Sequence, residues 1–365
     1  MRIAFDAKRY FLNTTGLGRY SQELINGLVA RQPTHDYFLC SPRALAPPGG
    51  AVLLEPPYKS RLLARYWRSI GVVRDLKKHG VRLYHGLSNE IPFGLRAAKI
   101  RRAVTVHDLI FLRYPDMYNQ GDRWIYERKV NYAAVHADAV IATSQQTADD
   151  IAFFYPVRPE RLHVVYQSVS MPPVNSALVQ RVCHKYGLPD AYFLYVGRIE
   201  ERKNLLGILE AMRISRHPFQ LAVVGRPEAR YFRRCMEFIG THKLANRVRF
   251  FHNVDREELA AFYNHSLALL YPSYFEGFGI PIVEAQASGT AVITSEGGCF
   301  GETAGTAALF VNPAESEQLA EAMEMMAEEN TMRRRLVDAG SINAQRFTRE
   351  KFVDDVFRIY ERLLS

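Results

Sequence analysis

The chain has 365 residues, 48% hydrophobic and 23% charged, more than one core usually organises and most simply two globular domains. Four widely separated cysteines, Cys40, Cys183, Cys235 and Cys299, form no CxxC pair and lack a histidine at zinc-ligand spacing, which points to a reducing compartment and no structural metal. No signal peptide and no run of about 18 apolar residues that could span a bilayer is read in the sequence, while the formal charge of +9 favours an anionic partner without choosing among nucleic acid, phospholipid and a phosphorylated substrate.

In chain order, short β-branched or aromatic runs alternate with amphipathic stretches: RIAFDA, a helix over 15–31, DYFLC, VRLYHG, RRAVTVHDL, DAVIATS and LHVVYQS. That alternation predicts an α/β domain with a parallel sheet, whose ligand-binding loops follow the carboxyl ends of the strands. Between 59 and 82 the chain carries eight basic residues and one acid, Asp75, with Leu62, Leu63, Tyr66, Trp67, Ile70 and Val73 at helical spacing. Such a helix either lies on an anionic membrane or buries its apolar stripe within its own domain. Met171-Pro172-Pro173 breaks the pattern, and a linker is expected over 171–188, between an N-terminal acceptor-side domain (1–170) and a C-terminal nucleotide-sugar-binding domain (189–346). There the pattern restarts as YFLYVGR, FQLAVVGR, RVRFFHNV, ALLYPS, AVITS and AALFVNP, with helices between. A last helix over 347–365, with Phe352, Val356, Ile359, Tyr360 and Leu363 on one face, is expected to pack back towards the N-terminal domain.

Residues 271–295 carry the most chemistry. A strand ending at Tyr271 meets Pro272, then the turn Glu276-Gly277-Phe278-Gly279, then a helix beginning near Pro281. Glycines there allow close backbone approach, and free amides at a helix start favour a phosphate. Glu276 and Glu284, eight positions apart, can bind hydroxyl groups at two points of an elongated ligand, with Glu284 expected in the first helical turn. The purely structural alternative makes Glu276 a cap and Glu284 a favourable charge near the helix dipole. After the first strand of the second domain, Gly197, Arg198 and Lys203 combine a glycine turn with two cations, which suits a diphosphate leaving group.

This pairing of glutamates, together with Ala285, Gly289, Thr290, Ala291 and Val292, resembles the signature of the retaining glycosyltransferases of family four, and the segments AKRYFLNTTGLGRYS and YHGLSNEIP resemble bacterial mannosyltransferase-like members of it. The resemblance covers nearly the whole chain and is strongest in the second half. It implies a GT-B fold, α/β with two Rossmann-like domains facing each other across a cleft. It also implies transfer of a hexose, with mannose favoured, from a GDP- or UDP-linked sugar to a glycan or lipid-linked glycan in surface-polysaccharide synthesis, lipopolysaccharide included. By position, Glu276 contacts the donor sugar, Glu284 the ribose, and the amides of Gly277, Phe278 and Gly279 the sugar or phosphate. Arg198 and Lys203, with Gly197 beside them, neutralise the departing diphosphate. In the first domain, Thr15-Gly16-Leu17-Gly18 resembles the family's N-terminal glycine loop, so Gly16 and Gly18 are substrate-binding candidates; His107 matches a histidine near the transferred sugar. His85, Ser88, Asn89 and Glu90 are candidates for the acceptor side.

The implied front-face mechanism needs no protein nucleophile and no cofactor beyond the donor. Asp149-Asp150 and Asp354-Asp355 read as solvated helix charges rather than a metal site, so metal independence is expected. Cytoplasmic location is expected, peripheral on the inner membrane face. A sugar-nucleotide epimerase of the same architecture is the alternative enzyme; a nucleic-acid partner is not expected, because no recognisable motif accompanies the basic residues.

Overall fold

The computed structural model describes residues 1–13, 16–43, 47–58 and 60–365. Thr15 and Lys59, which belong to the glycine-loop and basic-helix readings, lie outside them. The chain divides into two compact units, Met1–Ser168 with Arg349–Ser365, and Val169–Thr348.

The first unit holds a seven-stranded sheet, all pairs parallel, in the order β3-β2-β1-β4-β5-β6-β7. The strands are β1 (Arg2–Asp6), β2 (Asp36–Cys40), β3 (Ala51–Leu54), β4 (Leu83–Gly86), β5 (Arg101–Val106), β6 (Ala139–Ala142) and β7 (Leu162–Val164). The second unit holds a parallel six-stranded sheet, β10-β9-β8-β11-β12-β13. Its strands are β8 (Phe193–Val196), β9 (Leu221–Val224), β10 (Val248–Phe251), β11 (Ala268–Tyr271), β12 (Ala291–Ser295) and β13 (Leu309–Val311). Both sheets are doubly wound, and the order reverses between β1 and β4 and between β8 and β11. At such switch points crossovers leave on opposite faces and open a crevice beyond the strand carboxyl ends. Strands β4, β6, β8, β9 and β11 are buried at every position, as helices on both faces require.

The helix Arg349–Leu364 belongs to the first unit. Phe352, Val353, Val356, Ile359 and Tyr360 join Ile3, Phe5, Leu24 and Ile25 in one core. Gly27 permits this contact: a Cβ there would lie 2.4 Å from Val353 Cγ2. The interval expected as a linker, 171–188, contains the helix Ser176–Tyr186, opened by the Asn175 side chain and closed by Gly187 in the left-handed conformation. It packs in the second unit against the helix Arg256–His265.

Candidate active site

The carboxyl ends of β8 and β11, flanking the second unit's switch point, place the candidate donor residues. After β8 the chain turns through Gly197, whose φ of 144° a side chain would resist. A Cβ at Gly197 would also lie 3.0 Å from Lys203 Cδ, so this glycine makes room for the lysine stem. A single 3-10 turn, Glu201–Lys203, ends at Asn204 in the left-handed region, φ 57°. Asn204 Oδ1 accepts from the Gly207 amide at 3.2 Å, capping the helix Leu205–Ile214, and Nδ2 donates to the Pro313 carbonyl at 2.6 Å, which together anchor the end of the turn.

From that turn Lys203 donates to Tyr271 Oη and to Glu276 Oε1, each at 2.7 Å. Arg202 Nη1 lies 2.7 Å from the same Glu276 oxygen and donates to the Phe275 carbonyl at 2.7 Å. Its Nη2 donates to Glu200 Oε1 at 2.7 Å. Lys203 and Glu276 are both buried. Burial alone would raise the Glu276 pKa, but Arg202 and then Lys203 overcome it and hold the carboxyl at about 2. Burial lowers the Lys203 pKa, partly opposed by Glu276. The site thus keeps a fixed carboxylate between two cations.

The loop behind it is tied down from below. Cys299 Sγ donates to the Glu276 carbonyl at 3.2 Å and Thr303 Oγ1 to the Phe278 carbonyl at 2.6 Å. Phe278 is buried with its ring 5.5 Å from that of Phe347. Gly279, φ 94°, opens the helix Ile280–Ala287. Glu284 is the fifth residue of that helix, not in its first turn as expected; it is buried and accepts from Tyr263 Oη at 3.0 Å.

The structure therefore brings Lys203 and Glu276 together, while Arg198 stands apart from their contact. Its side chain is 63% exposed and 3.6 Å from Glu200 Oε2. Arg202, which links Glu200 to Glu276, is absent from the residues that the sequence singles out. There it is one charge within Glu200-Glu201-Arg202-Lys203, and the only signal is its place between two candidate site residues.

In the first unit, Gly16 and Gly18 are not in a loop between strand and helix: they occupy the first turn of the helix Gly16–Arg31. A Cβ on Gly18 would fall 1.7 Å from the Asn13 carbonyl oxygen, so that glycine is required sterically by the preceding segment. His107 follows β5 and is buried; its Nε2 donates to the Leu87 carbonyl at 2.8 Å, and Tyr20 meets its ring edge-on at 4.7 Å. Burial pushes its pKa down to about 4, with Leu87 pulling the other way. His85 is no surface residue: it bonds Tyr360 Oη at 2.5 Å and Thr105 Oγ1 at 2.9 Å, and Thr105 bonds Tyr20 Oη at 2.8 Å. Burial, then His107, lowers the His85 pKa to about 3. Glu90 pairs with Lys129 at 2.9 Å and with Arg68, which also binds Asp6 at the end of β1. Asn89 Oδ1 accepts from the His107 amide at 3.0 Å. Asp150, read as solvated, is fully buried on its side chain and paired with Arg113 at 2.6 Å.

Two doubly wound parallel domains, the second with a buried lysine–glutamate–arginine cluster at its switch point, place the protein in the GT-B class. The chain belongs to the glycosyltransferases: residues 14–171 match Glycosyltransferase Family 4 and residues 184–342 match Glycosyl transferases group 1. O-antigen chain mannosyltransferase RfbU of Salmonella typhimurium is 32% identical over 58% of this chain and 57% of its own length, so that match spans little more than half of the relative. O-antigen chain mannosyltransferase B of Escherichia coli is 25% identical over 100% of both chains. Among solved structures, Anabaena HepE in complex with UDP-glucose superposes with a TM-score of 0.78 at 17% identity, over 99% of this chain and 100% of that one.

Proposed function

We propose that the chain transfers a hexose, mannose before others, from a GDP- or UDP-linked donor to a glycan or lipid-linked glycan of a surface polysaccharide, with retention at the anomeric carbon. The observation that carries the reading is the Lys203–Glu276–Arg202 cluster at the ends of β8 and β11. The mannosyltransferase names of the O-antigen relatives support the sugar and acceptor class. The UDP-glucose bound by HepE supports a nucleotide-sugar donor.

Lys203 and Arg198 neutralise the charge that develops on the diphosphate as the glycosidic C–O bond breaks, and fixed charges aimed at a departing group lower the barrier more than most other devices of a site. Glu276, held ionised, accepts from sugar hydroxyls and orients the ring; Glu284 accepts from the ribose. Amides of Gly277, Phe278 and Gly279 donate to sugar or phosphate oxygens, and a substrate contact at Gly16 and Gly18 is made by the backbone of the first helical turn, Gly18 being glycine already to clear the Asn13 carbonyl. His107, neutral and with Nε2 committed to Leu87, offers Nδ1 as an acceptor for a sugar hydroxyl. The acceptor oxygen bonds to the anomeric carbon on the face the phosphate leaves, and its proton passes to the phosphate oxygen. No protein nucleophile and no metal are needed in this scheme.

The test is a transfer assay with GDP-mannose and the UDP-hexoses on extracted lipid-linked glycan, the new linkage assigned by NMR. A retained α-linkage formed equally with and without EDTA is expected. An inverted linkage sinks the front-face scheme, and activity abolished by EDTA and restored by Mg²⁺ or Mn²⁺ sinks metal independence.

Peripheral contact with an anionic membrane from the cytoplasmic side belongs to the same reading. Leu62, Leu63, Tyr66 and Ile70 are exposed, and Trp67 alone of the stripe is fully withdrawn, bonding Asp75 through its indole N–H at 2.6 Å. Basic Arg61, Arg65, Arg74, Lys77 and Lys78 share the helical segment. Among the described residues no helix is long and apolar enough to cross a membrane.

A further inference from the structure

Lys203 and Arg202 both reach Glu276 Oε1 at 2.7 Å, yet they are held differently. The Arg202 guanidinium is also bonded to Glu200 Oε1 at 2.7 Å and to the Phe275 carbonyl at 2.7 Å. Its backbone carbonyl accepts from the Tyr274 amide at 2.9 Å. A planar fork anchored in this way cannot leave one partner without straining the others. Beyond Glu276, Lys203 donates to a neutral phenol, Tyr271, at 2.7 Å, on a flexible stem.

One buried carboxylate needs one buried cation. Were Lys203 the sole partner of Glu276, drawing it onto a phosphate would strand an uncompensated buried charge, which is costly. The incoming phosphates would also face that negative charge. With Arg202 fixed on Glu276, the lysine can move to an anion while the carboxylate stays paired.

We infer that Arg202 is a positioning residue: it retains Glu276 when a nucleoside diphosphate draws Lys203 away, so the donor's phosphates meet a usable cation instead of a closed ion pair. This rests on the donor-site reading above. A residue that only stiffened the loop would act through shape, whereas this role acts through charge, and the two separate in a charge-rescue experiment.

GDP and UDP binding is measured by calorimetry on the full chain, for wild type, Arg202→Gln, Glu276→Gln and the double variant. The expected result is affinity weakened about 10-fold or more in Arg202→Gln, the scale of a lost bond between charged groups. Return to within about 3-fold of wild type is expected in Arg202→Gln/Glu276→Gln, because removing the carboxylate releases Lys203. Unchanged affinity in Arg202→Gln, or a double variant no better than that single one, overturns the inference while leaving the donor site standing. If wild type binds neither nucleotide, the donor-site reading falls and takes this inference with it. Should Arg202→Gln fail to fold, Glu276→Gln alone replaces it: with the carboxylate gone Lys203 has no ion pair to leave, so GDP or UDP affinity at or above that of wild type is expected, and a loss beyond about 3-fold overturns the role.

Discussion

At the scale of single residues, the candidate site depends on two cations meeting one carboxylate in a space that Gly197 leaves open. Gly197→Ala forces a side chain into φ 144° and sets a Cβ 3.0 Å from Lys203 Cδ. We expect turnover to fall about 10- to 100-fold, since strain of about 1–3 kcal/mol at such a position displaces the ammonium. Steady-state kinetics beside a melting curve checks it; wild-type turnover would show that Lys203 does not need that clearance. The two buried histidines give a second expectation. Both have pKa values lowered by burial, His107 from 6.5 to about 4 and His85 from 6.5 to about 3. Below pH 6.5 the unfolded chain takes up protons that the folded one refuses, so stability is lost as pH falls from about 6.5 towards 4 and below, by on the order of 3 kcal/mol per imidazole. Glu276, lowered from 4.5 to about 2, acts later: the stability it contributes above 4.5 is lost as pH falls towards 2. Urea unfolding at stepped pH reads this, and a flat profile between pH 6.5 and 4.5 contradicts the histidine assignment. Glu276, Lys203 and Glu284 are legible as candidates because they fall on motif positions of the family that the sequence resembles. Arg202 and the buried state of His85 are not: a charge within a charge run and a histidine at a strand end look solvated until the tertiary fold buries them.

At the scale of elements, the helix Arg349–Leu364 is part of the first unit's core, not an appendage. Tyr360 closes the chain Tyr360–His85–Thr105–Tyr20, so Tyr360→Phe leaves His85 without that bond. We expect a loss of about 1–3 kcal/mol in unfolding free energy, measured by urea titration; no loss would mean that the imidazole finds another partner. The segment Arg61–Lys78 carries the membrane expectation. Replacing exposed Leu62, Leu63 and Ile70 with serine should abolish co-sedimentation with vesicles containing anionic lipid, with unfolding midpoints unchanged. Sedimentation that persists, or that ignores lipid charge, contradicts a basic amphipathic docking face. The apolar strands of both sheets and the aromatic spacing of the last helix are readable directly. The four-residue edge strand Ala51–Leu54, most of it at least partly exposed, is too short to show a pattern, and the helix Ser176–Tyr186 is hidden behind the prolines that precede it.

At the scale of the whole molecule, two sheets of the same winding carry different chemistry at their switch points. In the first unit Asp6, Arg68, Glu90 and Lys129 neutralise one another; in the second, Arg202, Lys203 and Glu276 leave one more cation than carboxylate before Glu200 is counted. The double α/β pattern is legible because parallel strands buried on both faces must be apolar throughout. The chemistry is legible only where residue type and spacing coincide, since side-chain pairing across 73 positions, Lys203 to Glu276, leaves no local trace. Binding of a sugar donor's nucleotide by the second unit is read by a thermal-shift screen of the full chain with GDP, UDP, dTDP, ADP and their common sugar conjugates. Ligand bound only to the folded chain raises its melting temperature. A clear rise with one base, lost in Glu284→Ala, is expected; no rise with any of them, or one that Glu284→Ala leaves intact, would mean that the second unit is not the donor site.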